Sequence, residues 1–333
     1  MTIRSEPSVS ILLAARNAEG TLPPCLTSIR RQTLTDYECV VVDDGSTDDT
    51  YKIATELARL DARFRVLRRS AEGLVAALTA GLSVCRAPLV ARMDADDLMH
   101  RDRLAAQVAH LSSKPQLAAV GCRVHVHPTP LDGMAAYVTW ANSIRTDADV
   151  LREAFVECPL VHPTLMIRRE LLSYRDAGWP EDYDLILRLL GSGRRCEVIP
   201  RRLLVWRESP GRLSRTHPSY TQARFTACKA AFLSTSVLSN TDQYILWGFG
   251  GTGKAMRKAL AAHGKHPAYI IELDPDRLGQ KIHGAPVVPP EQIQDLPSVP
   301  LLVSVAGATP RAQIRAFLAT RGRYDPRDFV CVA

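Results

Sequence analysis

ECVVVDDGSTDDT, residues 38–50, decides how this chain folds. Its β-branched run, Glu38–Val42, reads as a buried strand. The run stops at Asp43-Asp44-Gly45, and Ser46 or Thr47 is placed to cap a helix. Asp48 and Asp49 then fall in the first turn, where the helix dipole favours anions. A strand leading directly into a helix is half of a β-α-β unit, and the flanking sequence repeats the pattern. Upstream, Val9–Ala15 is a second apolar strand, followed by a helix from about Thr21 that tolerates Pro23 and Pro24 in its first turn. Downstream come a strand at Phe64–Leu67, a helix at Leu74–Val84 and a strand at Leu89–Met93 that stops at Asp94-Ala95-Asp96-Asp97. A helix at 101–112 and a strand at 117–126 complete the series. Such alternation specifies an α/β fold, a mostly parallel sheet sandwiched by helices.

Beyond residue 126 the pattern loosens, with helices expected at 147–157, Tyr183–Leu190 and 219–235 and a strand at Thr164–Arg168. The polar segment Ser236–Asp242 marks a boundary. A second alternation starts at Tyr244: strand, Gly-rich turn, helix 253–263, strand 268–273, strand 301–307, helix 310–321 and a last strand near 328–332. The expected organisation is a first domain over 1–235, with 212–235 as a helical extension, and a small Rossmann-like α/β domain over 236–333.

Composition narrows the function classes. The chain has 333 residues, 46% hydrophobic and 23% charged, with 42 Lys+Arg against 35 Asp+Glu, a net charge of +7. Disorder, collagen and coiled coil are excluded. No apolar run approaches the ~18–20 residues of a membrane span. The apolar stretch near the start, Val9–Ala15, is too short for a signal peptide core. The eight cysteines show no metal-ligand spacing, which predicts reduced, buried thiols and a cytoplasmic protein. Arginines recur in several clusters, suiting a surface that meets phosphates or anionic headgroups, or simply a solvated basic exterior. No aromatic interleaving or binding motif accompanies them, so no nucleic-acid partner is expected.

Carboxylates at strand ends are costly if buried without a partner. Asp94 and Asp96, one residue apart, can converge on Mg²⁺ or Mn²⁺, which take oxygen ligands and complete their shell with water and substrate phosphate. Asp43, ending the neighbouring strand, can accept hydrogen bonds from a base or a ribose. Each cluster alone could be a capped turn or an exposed acidic loop. Together, at the carboxyl ends of strands in one sheet, they point to a ligand site.

The stretch VSILLAARNAEGTLPPCLTSIRRQTLTDYECVVVDDGSTDDT resembles the opening of family 2 glycosyltransferases of the GT-A fold. ARMDADD resembles their D-x-D motif, and HPTLMIRRE and WPEDYDLILRL their acceptor-side elements. The resemblance covers about residues 7–215. It implies a nucleotide-sugar donor, Mg²⁺ or Mn²⁺, inversion at the anomeric carbon, and a glycan or lipid-linked acceptor from bacterial surface polysaccharide synthesis. By that resemblance Asp43, with Asp44, is the nucleotide-binding acid. Asp94 lies nearer the ribose and diphosphate, beside Arg92, and Asp96 on the metal. Asp182 is the catalytic base, with Glu181 and Asp184 as its alternates. Two departures stand out. Arg16 replaces an expected Tyr and is placed to contact the donor or to lie on the surface. WRESPGRLSR lacks the histidine that members often place near Ser209 as a further metal ligand. His162 falls at a family position near the acceptor or serves structurally. Any membrane contact would be peripheral.

Gly248-Phe249-Gly250-Gly251-Thr252-Gly253 follows a strand and opens a helix, and Glu272 ends the next strand. That context fits a dinucleotide fingerprint, or a tight turn in a docking or oligomerisation domain. Two other readings compete with glycosyl transfer. A nucleotidylyltransferase would carry a Gly-rich triphosphate loop where this chain has LAARNAEG. A non-catalytic nucleotide-binding or interaction protein would use the C-terminal glycines alone and tolerate loss of Asp94, Asp96 and Asp182.

Overall fold

The computed structural model describes residues 6–129, 132–209 and 211–333. The chain forms two compact units, one of 1–150, 159–176 and 188–215, the other of 151–158, 177–187 and 216–333. Residues 216–235 thus belong with the second sheet. Among the described residues no helix is long and apolar enough to cross a membrane.

The first unit holds strands β1 (Val9–Ala15), β2 (Tyr37–Asp44), β3 (Phe64–Arg69), β4 (Leu89–Asp94), β5 (Leu98–Met99), β6 (Leu117–His127), β7 (Met166–Arg168) and β8 (Arg195–Arg207). They form one sheet in the order β3-β2-β1-β4-β7-β6-β8-β5. The pairs β3-β2, β2-β1, β1-β4 and β6-β8 are parallel, while β4-β7, β7-β6 and β8-β5 are antiparallel. Helices α1 (Leu22–Arg30), α2 (Thr50–Leu60), α3 (Leu74–Val84) and α4 (Arg103–Ser113) connect the strands. They are followed by α5 (Asp132–Ala141) and α6 (Asp147–Glu153).

Every residue of β2 is buried, as a strand covered on both faces requires. Helix α3 lies close against that sheet because Gly81 has no side chain. A Cβ there would meet Leu12 Cδ1 at 2.4 Å and Val42 Cγ2 at 2.7 Å. Glu38 is the polar exception inside β2. Its carboxylate accepts hydrogen bonds from Ser10 Oγ at 2.7 Å, Arg86 N at 2.7 Å and Arg65 Nη1 at 3.2 Å, which offsets its burial.

The predicted cap of α2 is corrected. The helix starts at Thr50, with Asp49 at its N-cap, and neither Ser46 nor Thr47 caps it. Both are taken by the β1–α1 loop instead. Asn17, in the left-handed region at φ 48°, accepts from Thr47 N at 2.9 Å, and its own N–H donates to Ser46 Oγ at 3.0 Å. Glu19 N donates to Asp48 at 3.0 Å and Asp49 N to Glu19 at 3.0 Å. The DDGSTDDT segment is therefore half of a clasp between two loops. Helix α5 and the 13-residue strand β8 were not anticipated. Pro200 and two arginines interrupt the apolar pattern of β8, and its register against β6 shifts beside them.

The second unit contains most of α7 (Glu181–Gly191), the end of α8 (Leu213–Thr216) and all of α9 (Gln222–Thr235). It also holds β9 (Gln243–Trp247), α10 (Gly251–Ala261), β10 (His266–Ile271), β11 (Lys281–Ile282), β12 (Ala285–Val288), β13 (Leu301–Val303), α11 (Ala308–Ala319) and β14 (Phe329–Cys331). Its sheet runs β11-β12-β10-β9-β13-β14, parallel except for β11-β12. Leu233, Tyr244, Leu246, Met256, Ile270 and Leu302 anchor its own core.

Candidate active site

In the first unit β1 runs between β2 and β4, with Ala15 opposite Asp43 and Ala14 opposite Asp94. The two acidic clusters therefore flank the carboxyl end of one central strand. Parallel sheets bind ligands beyond such strand ends.

Asp43 is fully buried. Its Oδ1 accepts a long hydrogen bond from Ser46 N, 3.4 Å, and its Oδ2 has no hydrogen-bond partner among the described residues. Arg68 Nε lies 3.6 Å from Oδ2, and the Arg68 guanidinium sits 4.4 Å over the Tyr51 ring. A buried oxygen held in place without a hydrogen bond suits a ligand N–H or hydroxyl. Asp44 is differently employed. Its carboxylate accepts from Glu72 N at 2.9 Å and Gly73 N at 3.1 Å, with Arg16 Nη1 3.9 Å away. It fixes the loop between β3 and α3, while the Arg16 side chain stays half exposed. Gly45, at φ +68°, lets that loop approach, since a Cβ there would sit 2.6 Å from Ala71 N.

On the other side of β1, carboxylate oxygens of Asp94, Asp96 and Asp97 lie within 4.8 Å of one another. Asp94 pairs with Arg92 and, at 3.7 Å, with Arg212. Burial opposes the charge of Asp94, but Arg92 and Arg212 outweigh it and hold the carboxyl below its usual range. Burial first, and then the neighbouring Asp94, raise Asp96. Burial together with both other acids raises Asp97 further. Asp97 Oδ1 accepts from Arg207 N at 2.8 Å, whereas its Oδ2 is buried without a hydrogen bond among the described residues. Three crowded carboxylates with an unsatisfied oxygen form a donor set that a hard divalent cation fits.

The end of β8 shapes this cluster. Arg207 Nε donates to the Asp96 carbonyl and Nη2 to the Thr21 carbonyl, 3.0 Å. Arg212 lies 4.7 Å over the Trp206 ring, donates to the Arg207 carbonyl at 3.1 Å, and places Nε 4.0 Å from Asp96. Beneath, fully buried Arg103 donates to the Arg92 carbonyl at 2.9 Å and locks the last turn of β4. Sequence reasoning missed Trp206, Arg207, Arg212, Asp97 and Arg68 as site residues. The available signal was W-R-x₄-R closing a strand, read there only for its missing histidine. His162 is buried, with Nε2 3.0 Å from Tyr174 Oη, and burial, then Arg92, push its pKa well down. It is a neutral ring held by Tyr174.

In the second unit, the first turn of α7 carries three acids with different surroundings. Glu181 accepts from Tyr220 Oη at 2.6 Å, and Asp184 from Trp179 Nε1 at 3.0 Å. Asp182 accepts only from its neighbour's N–H, Tyr183 N at 2.7 Å, among the described residues. Burial, then the charge of Glu181, push the Asp182 pKa up to about 8. Such a carboxylate is a strong base for its type. Gly248, Gly250 and Glu272 stand around a separate cavity, and Gly253 packs beneath its turn.

A mixed sheet with a parallel central part, acidic strand ends and a cluster of three carboxylates beside β1 is the GT-A-type glycosyltransferase fold. The chain superposes on the crystal structure of S. aureus TarS 1–349 in complex with UDP-GlcNAc with a TM-score of 0.57, at 17% identity over 77% of this chain and 72% of that one. It also superposes on the mannosyltransferase PcManGT from Pyrobaculum calidifontis in complex with GDP-Man and Mn²⁺, with a TM-score of 0.50 at 21% identity, over 71% and 64% of the two chains. Residues 10–175 match the model of Glycosyl transferase family 2. The amylovoran biosynthesis glycosyltransferase AmsE of Erwinia amylovora is 30% identical over 198 residues, 57% of this chain and 73% of that protein. The chain belongs to glycosyltransferase family 2. It spans 63%, 28% and 58% of the length of three other curated relatives.

Proposed function

We propose that the protein transfers a sugar from a nucleotide-sugar donor to an acceptor hydroxyl, with Mg²⁺ or Mn²⁺ and with inversion at the anomeric carbon. The observation that carries this reading is the pairing of two acidic strand ends across β1, one with an open buried oxygen on Asp43 and one with the triad Asp94, Asp96 and Asp97. Asp94 and Asp96 would hold the cation, which when bound supplies Lewis-acid stabilisation of the departing diphosphate. Asp43 receives the nucleoside, and Arg68 beside it offers a planar cation to a base. Arg92 keeps Asp94 ionised, and Arg212 faces the diphosphate side of the cluster. Asp182 takes the proton of the acceptor hydroxyl, a task suited to a base whose pKa lies near the working pH. Burial, with the charge of Glu181 second, raises that pKa, and Glu181 is the second candidate for the role. Asp44 and Arg16 serve the donor by holding the loop that borders it.

AmsE is named for amylovoran biosynthesis, which supports a glycan or lipid-linked acceptor in bacterial surface polysaccharide synthesis. The eight free, buried thiols accord with a cytoplasmic setting, and the excess of arginine with peripheral contact to anionic lipid. The test is a panel of UDP-, GDP-, dTDP- and CMP-sugars, with Mn²⁺ or with EDTA, scored by thermal shift, diphosphate release and the anomeric configuration of the product. One donor should stabilise the protein with Mn²⁺ only and yield an inverted linkage. No shift and no release with any donor would overturn the reading, as would turnover undiminished in EDTA.

A further inference from the structure

We propose that the second sheet carries its own nucleotide site, which takes a nucleoside diphosphate in a cavity at the carboxyl ends of β9, β10 and β13. No residue of this site belongs to the acidic clusters of the first sheet, so it stands or falls apart from glycosyl transfer.

Topology supplies the first argument. Strand β9 opens this unit's sheet, the chain then builds outward through β10 and β12, and it returns to lay β13 on the other side of β9. That reversal is a topological switch point, where parallel α/β sheets leave a crevice for ligands. A cavity of about 670 Å³ occupies it, bordered by Gly248, Gly250, Gly251 and Thr252 after β9, Ile271 to Asp274 at the end of β10 and Ser304 to Ala306 after β13. Its size falls within the ordinary range for small-molecule sites, roughly 300–1,000 Å³.

The glycines supply the second argument, because the fold requires only some of them. Gly248 adopts φ +91°, and a Cβ there would meet Val305 Cγ2 at 2.6 Å; at Gly253 it would strike the Gly248 carbonyl oxygen at 2.2 Å. These two make the turn and the close packing of α10. Gly250 has φ −73° and Gly251 no positive φ, and a Cβ on either meets nothing within 4 Å. Nothing in the fold forbids side chains there. Their absence leaves the first-turn N–H groups of α10, which have no acceptor within the helix, open to the cavity. That is a seat for a phosphate group.

The flanks define what the phosphate belongs to. Glu272 ends β10, accepts from Phe249 N and pairs with Arg277 at 3.2 Å, while Asp274 pairs with the same guanidinium at 3.1 Å. A carboxylate so placed accepts from ribose hydroxyls, and the Glu272–Asp274 pair repels a phosphate on that ribose. On the β13 side the wall is mostly apolar, with Val305, Pro310, Ile314 and Phe317 beside the uncharged Ser304 and Gln313. The far end of the ligand is therefore uncharged. A nicotinamide or ADP-ribose dinucleotide and a nucleotide sugar share this chemistry.

The test uses the intact chain carrying Asp94→Asn and Asp96→Asn, in EDTA, so that the first sheet offers no cation for a donor. Calorimetric titration with ADP-ribose, NAD⁺, UDP-glucose and NADP⁺ should find at least one of the first three binding 1:1. NADP⁺ should bind NAD⁺'s site at least about tenfold more weakly, the cost of setting a phosphate against two carboxylates that share the single cation of Arg277. Thr252→Glu adds an acid that the helix dipole favours, so the fold is retained while a phosphate is repelled. Gly250→Val fills the seat without a clash. Each should weaken binding by roughly tenfold or more, with unchanged circular dichroism and Tm. If ADP-ribose or NAD⁺ alone binds, the ligand is a dinucleotide; if UDP-glucose alone binds, it is a nucleotide sugar. The proposal is overturned if no probe binds this background, if NADP⁺ alone binds, or if binding survives both Gly250→Val and Thr252→Glu.

Discussion

The guanidinium of Arg212 lies 3.7 Å from the carboxylate of Asp94. It is a cation set against the acids that would hold a metal, oriented by the Trp206 ring beneath it. A divalent ion bound there would share the charge of Asp94 and Asp96 with Arg212. Arg212→Ala should therefore tighten Mn²⁺ binding several-fold in the absence of donor, because one competing positive charge is gone. The same variant should lower kcat/KM by roughly tenfold, the scale of one lost charge-assisted hydrogen bond to the diphosphate. Calorimetry with Mn²⁺ and steady-state kinetics check the two halves.

Burial, and then the neighbouring Asp94, raise the pKa of Asp96, and a divalent ion would relieve that repulsion. Asp96→Asn should reduce turnover by about a thousandfold, within the range of lost electrostatic stabilisation at a departing group. It should leave thermal stability without metal equal or slightly higher. Mn²⁺ titration followed by differential scanning calorimetry separates these effects. A variant with normal turnover at saturating Mn²⁺ removes Asp96 from the site.

Asp182 must be ionised to accept a proton, and its pKa is raised to about 8. The rate should therefore fall on the acid side, with log(kcat/KM) climbing through an inflection near pH 8. Glu181 contributes to the upward shift. Glu181→Gln keeps a partner for the Tyr220 hydroxyl but removes the charge, and should move that inflection to lower pH. Asp182→Asn should cost about 10²–10⁴ in kcat while donor affinity, measured by calorimetry, stays within twofold.

Gly45 is where the end of β2 meets the loop after β3. A side chain there needs both a left-handed backbone and space already filled by Ala71 N, 2.6 Å from the would-be Cβ. Gly45→Ala should cost about 1–3 kcal/mol or more of stability, read from urea unfolding. It should also weaken donor binding, since the loop that Asp44 anchors would shift.

Much of the fold was legible because its signals are local. β1 and α3 have the bounds their apolar runs predict, Val9–Ala15 and Leu74–Val84, since burial on both faces and helical periodicity are written into consecutive residues. β8 was not legible, because Pro200 breaks its pattern and its partners on β6 lie 77 to 80 residues away in sequence. The acids of the site were legible as residue types at strand ends. Their partners were not. Whether Ser46 caps a helix or accepts from Asn17 depends on a loop 29 residues upstream. Likewise Arg207 reaches Asp97 across 110 residues. Local propensity decided the wrong way at Ser46 because a tertiary donor outcompeted the nearest backbone N–H.

Asn17 donates to Ser46 and accepts from Thr47, and Glu19 donates to Asp48 and accepts from Asp49, so neither segment has a geometry of its own. Engineers who wish to retune which nucleotide this scaffold accepts will have to transplant both stretches as a matched set. A graft of one alone would strand the donors and acceptors of the other and spoil the very surface it was meant to reshape.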